Sequence, residues 1–248
     1  MRRYFIKLAY NGTNYHGWQI QDNARTVQQE LNERISLMLS QEINLIGCGR
    51  TDTGVHAREF YAHFDLPDEY GEVDKQLAFR LNAFLPEDIV IFSVFQVPSD
   101  FHARFDAKSR TYKYYISRQK DPFRTGLAYT YHAPLELKKM TDAAGILFDY
   151  EDFTSFSKLH TQTKTNICRI MEAEWEEEDR MFVFTIKADR FLRNMVRAIV
   201  GTLLEIGKGK LAVEDMKRII EAKDRSQAGF SVPAQGLFLE KIEYNFPV

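Results

Sequence analysis

Cysteine is scarce in this chain of 248 residues, and several other common signals are missing. The two cysteines, Cys48 and Cys168, lie far apart and form no Cys-x-x-Cys pair, which indicates a reducing compartment and gives little support for a structural metal site. No apolar run reaches the roughly 18 residues of a transmembrane helix, and Lys7 comes too early for a secretory leader. No glycine-rich phosphate loop is present either. We therefore expect a cytoplasmic protein that needs no metal and no nucleotide cofactor.

Net charge is also nearly absent. The 33 basic side chains and 35 acidic ones leave the chain at −2, which argues against a polyanion-binding surface over the whole protein. The charges are unevenly spread, however: the segment His102–Arg124 holds seven lysines and arginines but only two acids, whereas Glu172–Asp179 holds six acids. A basic patch on a near-neutral protein fits a local contact with phosphates, although a solvated strand face is the simpler explanation.

Hydrophobic periodicity predicts a mixed α+β chain. Alternation predicts strands over residues 3–10, 60–66 and 112–116, and a run of β-forming residues predicts one over 89–97; further strands are expected over 166–177, 181–187 and 237–244. Spacings of three and four predict a helix over residues 27–38, and further helices are expected over 73–84, 137–148, 190–206 and 213–222. Strands precede helices in both halves, so we expect two ferredoxin-like halves, 1–104 and 105–248. Their mostly antiparallel sheets would join into one extended sheet, with the helices on one side and an active-site cleft between the halves.

The most informative segment is the run Gly49–Ala57, in which a single carboxylate, Asp52, lies between two glycines. Glycine permits turn conformations closed to other residues and lets a ligand approach the backbone closely. Arg50 is near enough in sequence to keep Asp52 ionised, so this loop predicts a nucleophile or a base. A turn that is merely capped by the aspartate side chain is the alternative.

A second candidate element is the predicted helix over residues 190–206. At about 100° per residue, Arg190, Arg193 and Arg197 fall on one edge of it, while apolar residues occupy the far side. Buried guanidinium groups need anionic partners. This edge therefore predicts either an anion contact or a strip that faces solvent.

Aromatic residues interleave with basic ones between residues 101 and 123. Such rings can stack on extruded bases while arginines contact phosphates. An alternating strand also buries one of its faces. We therefore expect Phe101, Phe105 and Tyr114 in the core, with Tyr112 as the exception.

Two other classes of site can be weighed from the residues. Asp52-Thr53-Gly54 is the signature of aspartic proteases, which need two such carboxylates, but the chain has no second Asp-Thr-Gly or Asp-Ser-Gly. Those proteases are also all-β, whereas several helical patterns occur here. His56, His63 and His102 lack the spacing of a metal site. Neither a protease nor a metal centre is expected.

The aspartate loop resembles the catalytic loop of the tRNA pseudouridine synthase A family. Further blocks of that family are matched in order over nearly the whole chain, namely Tyr10-x-Gly12-x-x-Tyr15-x-Gly17-Trp18-Gln19-x-Gln21, Thr26-Val27-Gln28, Phe101–Phe105, Arg110-x-Tyr112-x-Tyr114, Asp152-Phe153-x-Ser155-Phe156, Phe191–Gly201 and Pro233-Ala234-x-Gly236-Leu237. Thr53 departs from the more usual alanine, and Ser231-Val232 is a local variation. Neither change removes a reacting group.

The resemblance implies isomerisation of uridine to pseudouridine at positions 38, 39 and/or 40 in the anticodon stem-loop of tRNA. It also implies a homodimer in which one tRNA spans both subunits, and no cofactor, because the isomerisation changes neither redox state nor phosphate count. A non-catalytic RNA-binding protein on the same scaffold would have lost Asp52 or Tyr112, and both are present. The same chemistry on other uridines, as in eukaryotic relatives, stays open.

The resemblance further implies roles for individual residues. Asp52 is the nucleophile, at C1′ of the ribose or C6 of the ring, and Arg197 pairs with it. Tyr112 lies against the flipped uracil and assists removal of the C5 proton. Arg50 enters the space left by the extruded base or holds its phosphate. The other substrate-binding residues are two apolar wall residues, Val55 and Leu237, together with His56, Arg58, Arg104 and Arg110.

Overall fold

Nine strands and five α-helices are present in the structure, a computed structural model that describes residues 1–73, 75–158 and 165–246. Most strand pairs are antiparallel, so the predicted mixed α+β class is confirmed. The chain divides into two compact units, Met1–Lys108 with the residues from Leu239 onward, and Ser109–Phe238. None of the helices in the described residues is long and apolar enough to cross a membrane.

The first unit is built around the N-terminal strand. Its strands are β1 (Arg2–Tyr10), β2 (Ile46–Gly47), β3 (His56–Leu66) and β4 (Ile89–Val97), and its helices are α1 (Val27–Leu39) and α2 (Leu77–Phe84). β1 lies between β3 and β4 and is antiparallel to both. Tyr4, Ile6 and Leu8 are buried, as alternation predicts, but Phe5 on the opposite face is fully buried as well, because it packs against other aromatic rings. α1 begins after Thr26, whose side chain accepts a hydrogen bond from the Gln29 N–H.

The centre of the second unit is a ladder of three long strands. The strands of this unit are β5 (Ala107–Ser117, which belongs to it from Ser109 onward), β6 (Tyr129–Thr130), β7 (Ile170–Glu178) and β8 (Met181–Ala188). Its helices are α3 (Leu137–Gly145), α4 (Met195–Gly207) and α5 (Asp215–Ala222). β8 pairs antiparallel with β5 and β7, and the short β6 runs parallel to β5. α3 packs against α4 and β7.

The last strand, β9 (Leu237–Tyr244), begins in the second unit but belongs to the first from Leu239 onward. Its Tyr244 ring packs against Phe5 of β1 and Tyr61 of β3. The sequence predicts instead that all of residues 105–248 belong to the second half. Hydrophobic periodicity does not show that the end of the last strand packs against the first unit.

α4 begins five residues later than its hydrophobic spacing predicts. The helix begins at Met195 and not at Arg190, because Asn194 before it adopts a left-handed conformation with φ 67°. Arg190 and Arg193 therefore precede the helix. The prediction that they share one helical edge with Arg197 is wrong.

Other element boundaries differ less from the predictions. α2 begins at Leu77, whereas the sequence predicts a start at residue 73; Asp74, within the predicted helix, lies outside the described residues. α3 ends at Gly145, and a 3₁₀ turn follows it to Asp149. The strands predicted over residues 89–97 and 237–244 have the bounds that the structure shows.

Candidate active site

Asp52 lies on the loop of residues 48–55 that connects β2 to β3. The residue is half-buried, and its carbonyl accepts a hydrogen bond from the Val55 N–H at 3.1 Å, which closes a turn. Gly54 in this turn has a left-handed backbone with φ 77°, which glycine adopts without steric cost. Gly49 needs no such freedom, because a Cβ there would meet open space. The backbone therefore requires only the second glycine of the motif.

The loop is held on both sides of Asp52, by the last residue of β1 and by the segment that follows that strand. Before the aspartate, the Tyr10 and Thr51 hydroxyls share a hydrogen bond of 2.9 Å in a buried position. After it, the Gly54 N–H donates to the Tyr15 carbonyl at 3.2 Å. Because both sides of the loop are fixed, the carboxylate extends from a rigid frame, as a group that must meet a reacting atom requires.

His56 stands at the start of β3 and is buried, with only 1% of its surface exposed. Its Nδ1 accepts a hydrogen bond from the Gly12 N–H at 3.1 Å. Val55 beside it is buried as well. A buried ring that bonds another segment's backbone helps to hold the loop in place.

The three arginines of the first unit that the sequence assigns to substrate binding have different surroundings. Arg50 is exposed, and no hydrogen bond or ion pair ties its guanidinium to another residue that the structure describes. The Arg58 Nε on β3 lies 3.3 Å from the Glu240 carboxylate. Arg104 is exposed on the turn before β5, with its guanidinium 5.6 Å from the centre of the Phe105 ring. The Arg50 side chain is therefore accessible and has no ion pair within the described residues.

In the second unit, Arg110 and Tyr112 lie on the same face of β5, two residues apart. The Tyr112 ring meets Phe191 edge to face, with centroids 5.2 Å apart. Arg110 Nη1 donates to the Asp189 carbonyl at 2.9 Å. Both contacts reach the turn that precedes α4, so this turn connects the two β5 residues to the helix that carries Arg197.

Arg197 is half-buried in the first turn of α4. Its Nε donates to the Val232 carbonyl at 2.7 Å, and the Val232 N–H donates back to the Arg197 carbonyl at 3.2 Å. The next residue, Pro233, accepts a hydrogen bond from the Tyr114 hydroxyl at 2.8 Å. Burial raises the pKa of Tyr114, which keeps this hydroxyl a donor. Leu237 follows the same segment and is buried at the start of β9.

Within each unit the structure gathers most of the predicted residues into a few connected segments. The first unit has one hydrogen-bonded loop that carries Arg50, Asp52, Val55 and His56. The second unit has the segments around β5, α4 and the start of β9, which carry Arg110, Tyr112, Arg197 and Leu237. Two predicted residues lie outside these segments, Arg58 and Arg104.

Similarity to known proteins extends over nearly the whole chain. A sequence model of the family described as tRNA pseudouridine synthase matches residues 149–245. A protein of Bacteroides fragilis named tRNA pseudouridine synthase A is 56% identical, covering 98% of this chain and 97% of the relative. Relatives of the same name from Parabacteroides distasonis and Clostridium acetobutylicum are 53% and 41% identical, covering 100% and 98% of this chain and 99% and 100% of the relatives. The chain belongs to the tRNA pseudouridine synthase A family.

In this member of the tRNA pseudouridine synthase A family, sequence reasoning missed the residues that hold the aspartate loop. Tyr10, Tyr15 and Trp18 belong to the first matched block, but their spacing assigns them no role. The backbone N–H of Trp18 donates a hydrogen bond to the Thr51 carbonyl at 3.3 Å, which helps to fix the residue before Asp52. The glycines of that block were the available signal, because glycine among aromatic residues indicates that another backbone comes close.

A thiol nucleophile is disfavoured in this family member by the surroundings of its cysteines. Both Cys48 and Cys168 are buried. Burial raises the pKa of Cys168 to about 12, so that side chain stays protonated, and only a thiolate attacks efficiently.

Gly12→Ala is expected to impair catalysis more than it destabilises the fold. An added Cβ would lie 2.0 Å from the Val55 carbonyl oxygen, so the end of the aspartate loop must shift. A displacement of about 1 Å lowers kcat roughly 100-fold, whereas overpacking costs about 1–3 kcal/mol of unfolding free energy. Single-turnover pseudouridine formation and thermal denaturation measure the two effects. The matched control is Gly145→Ala, where a Cβ meets nothing within 4 Å; equal effects of the two changes would contradict the prediction.

Proposed function

We propose that this protein isomerises uridine to pseudouridine at positions 38, 39 and/or 40 in the anticodon stem-loop of tRNA, with Asp52 as the nucleophile. Its family membership makes it an isomerase that acts on tRNA uridine. The observation that carries the choice of nucleophile is the frame around Asp52, where bonds to Thr51 and Gly54 hold the backbone on both sides. A carboxylate that only capped a surface turn would not need a second segment to hold its loop.

The reaction breaks the N1–C1′ bond of uridine and joins C5 to C1′; the C5 proton is lost and N1 gains one. The substrate is neither oxidised nor reduced. Attack of the Asp52 carboxylate at C1′ displaces N1 of uracil, and C5 then displaces the carboxylate; attack at C6 opens the C5–C6 double bond, and the carboxylate leaves again when the C5 proton is removed. Either covalent bond divides one difficult exchange into two easier steps. Tyr112, whose ring is supported by Phe191, lies against the flipped uracil and assists removal of the C5 proton.

In the proposed site, each unit contributes some of the catalytic residues. Asp52 comes from the first unit and Arg197 from the second, and their pairing orients the carboxylate. The pairing needs two ferredoxin-like halves whose sheets join into one extended sheet, with helices on one side and the site in the cleft between the halves. Val55 and Leu237 wall that cleft, and Arg50 enters the space of the extruded base or holds its phosphate. A homodimer would bind one tRNA across both subunits.

The decisive experiment needs only the purified protein and an unmodified tRNA transcript with uridines in its anticodon arm. We expect pseudouridine at positions 38–40 without any added cofactor, as mapped by chemical modification and primer extension. Pseudouridine found only at other tRNA positions would refute the assignment of positions 38–40, but the proposed isomerisation would still stand. Tight tRNA binding without any pseudouridine would indicate a non-catalytic RNA-binding protein.

The double variant Arg104→Gln and Lys108→Gln is expected to weaken tRNA binding and to flatten its salt dependence. Both side chains are exposed in the basic segment, and each phosphate contact that is lost reduces the slope of log K against log salt by about 0.9 for duplex and 0.7 for single strands. Filter binding over a range of salt concentrations measures this slope. Lys138→Gln on α3, with a side chain that is 86% exposed, is the control. An unchanged slope in the double variant would place the RNA elsewhere.

A further inference from the structure

Phe105 is an exposed aromatic residue of the first unit that the proposed chemistry does not use. The sequence predicts it to be buried, but 75% of its surface is exposed, so that prediction is wrong. Two other aromatic residues are predicted to be buried with it: Tyr114 is fully buried, as expected, and Phe101 is half-buried. One exposed ring needs no explanation in itself. The way in which the turn around Phe105 is built does need one.

The turn of residues 102–106 is fixed by its own hydrogen bonds. The Asp106 carboxylate accepts from the His102 N–H at 2.6 Å, and the Asp106 N–H donates to the His102 carbonyl at 3.0 Å. The His102 Nδ1 accepts from the N–H groups of Arg104 at 3.0 Å and Phe105 at 3.4 Å. Burial lowers the pKa of His102, which keeps the ring a neutral acceptor near pH 7. A turn fixed in this way loses little conformational entropy when its side chain binds a partner.

One face of the Phe105 ring is supported from behind. The His102 ring lies 4.3 Å away at an interplanar angle of 34°, and His102 in turn packs against the buried His63 at 4.7 Å. The Arg104 guanidinium stands beside the Phe105 ring. A rigid ring with a supported back, a face in water and a neighbouring cation has the features of a surface on which a nucleobase stacks while its phosphate is neutralised.

The turn lies far from the catalytic loop along β3. His63 accepts a hydrogen bond from the Ala103 N–H at 3.2 Å and so lies next to the turn. Thr51, beside Asp52, bonds instead to Tyr10, which pairs with Ala57 next to His56 at the start of β3. At about 3.3 Å per residue, the strand between the two histidines spans roughly 23 Å. Phe105 and the residues that flank Asp52 are therefore held towards opposite ends of β3. A tRNA is large enough to reach both places.

We infer that Phe105 is a stacking surface for an unpaired base of the tRNA remote from the reacting uridine, with Arg104 on an adjacent phosphate. An unpaired base is the occupant because bases within a duplex are already stacked on their neighbours. The contact adds affinity and helps to place the anticodon arm. The inference rests on the proposed function for the presence of tRNA, but not on the chemistry at Asp52.

The test compares Phe105→Ala, Phe105→Leu and Phe105→Trp in the full-length protein. Base stacking predicts that KM and Kd for unmodified tRNA rise about 10- to 100-fold in the alanine variant, nearly as much in the leucine variant, and little in the tryptophan variant, with kcat unchanged in all three. Because an uncharged ring releases no counterions, the salt slope of binding should stay as in the wild type. The matched control is Phe79→Ala on α2, where the ring is also 75% exposed.

Each alternative has a distinct result. A leucine variant that binds tRNA as the wild type does would overturn stacking in favour of a general apolar contact. Dissociation of a dimer in sedimentation experiments on Phe105→Ala would assign the ring to an interface between copies of the chain. A fall in kcat at unchanged KM would also refute the inference. If the wild type bound tRNA without modifying it and Phe105→Ala still weakened binding, the proposed function would fail while this contact would stand.

Discussion

Asp52→Asn is expected to abolish pseudouridine formation while tRNA stays bound. The amide has nearly the same shape as the carboxylate but cannot act as the nucleophile of the first step. The bonds from Tyr10 to Thr51 and from Gly54 to Tyr15 do not involve the side chain that changes, so the loop should keep its shape. Loss of a nucleophile lowers kcat by about 10⁴-fold or more. Single-turnover assays and filter binding on the same preparation measure the two quantities.

Two further variants make this experiment decisive. Asparagine can deamidate back to aspartate, so Asp52→Ala serves as the variant that cannot revert, and its thermal denaturation shows whether the fold survives. Asp22→Asn removes an exposed carboxylate from the loop before α1 and should act as the wild type does. Measurable turnover by folded Asp52→Ala would end the case for Asp52 as the nucleophile.

The sequence predicted most strands well because strand patterns are local. Runs of β-forming residues and their alternation are properties of neighbouring residues, and β4 and β9 have the bounds that the sequence predicts. The start of α4 was not predictable in the same way. The spacing of apolar residues continues through residues 190–194, but the left-handed conformation of Asn194 prevents the helix from beginning before Met195. A helical pattern cannot reveal a single residue that leaves helical geometry.

The candidate site shows a similar division. The motif around Asp52 is readable because its glycines and charged residues are adjacent in the chain. The frame that holds it joins residues some forty positions apart, as in the contacts of Tyr10 with Thr51 and of Gly12 with His56. Hydrophobic periodicity carries no information about such pairs. The prediction that Phe105 is buried was wrong for a related reason. The exposure of its ring depends on the turn that His102 and Asp106 form, and this turn lies before β5, where the alternation of that strand does not apply.

Arg197→Ala is expected to lower kcat/KM for tRNA by about 100-fold. The proposed partner of Asp52 would be lost, and a hydrogen bond to a charged group contributes up to about 3 kcal/mol, which corresponds to roughly two orders of magnitude in rate. The variant also loses the bond from Arg197 Nε to the Val232 carbonyl, which holds the segment before β9. Thermal denaturation must therefore accompany the kinetics, because a merely structural role would lower Tm without a specific effect on kcat.

Arg197→Lys and Arg193→Ala separate the electrostatic role from the structural one. Lysine keeps the positive charge but lacks the planar guanidinium that can bond Val232 and a carboxylate together, so we expect partial recovery of kcat with little recovery of Tm. Arg193 is exposed and precedes the helix, and its removal should leave both quantities near wild type. If Arg197→Ala changed only KM and the salt slope of tRNA binding, Arg197 would be a phosphate contact, and the orientation of Asp52 would need another source.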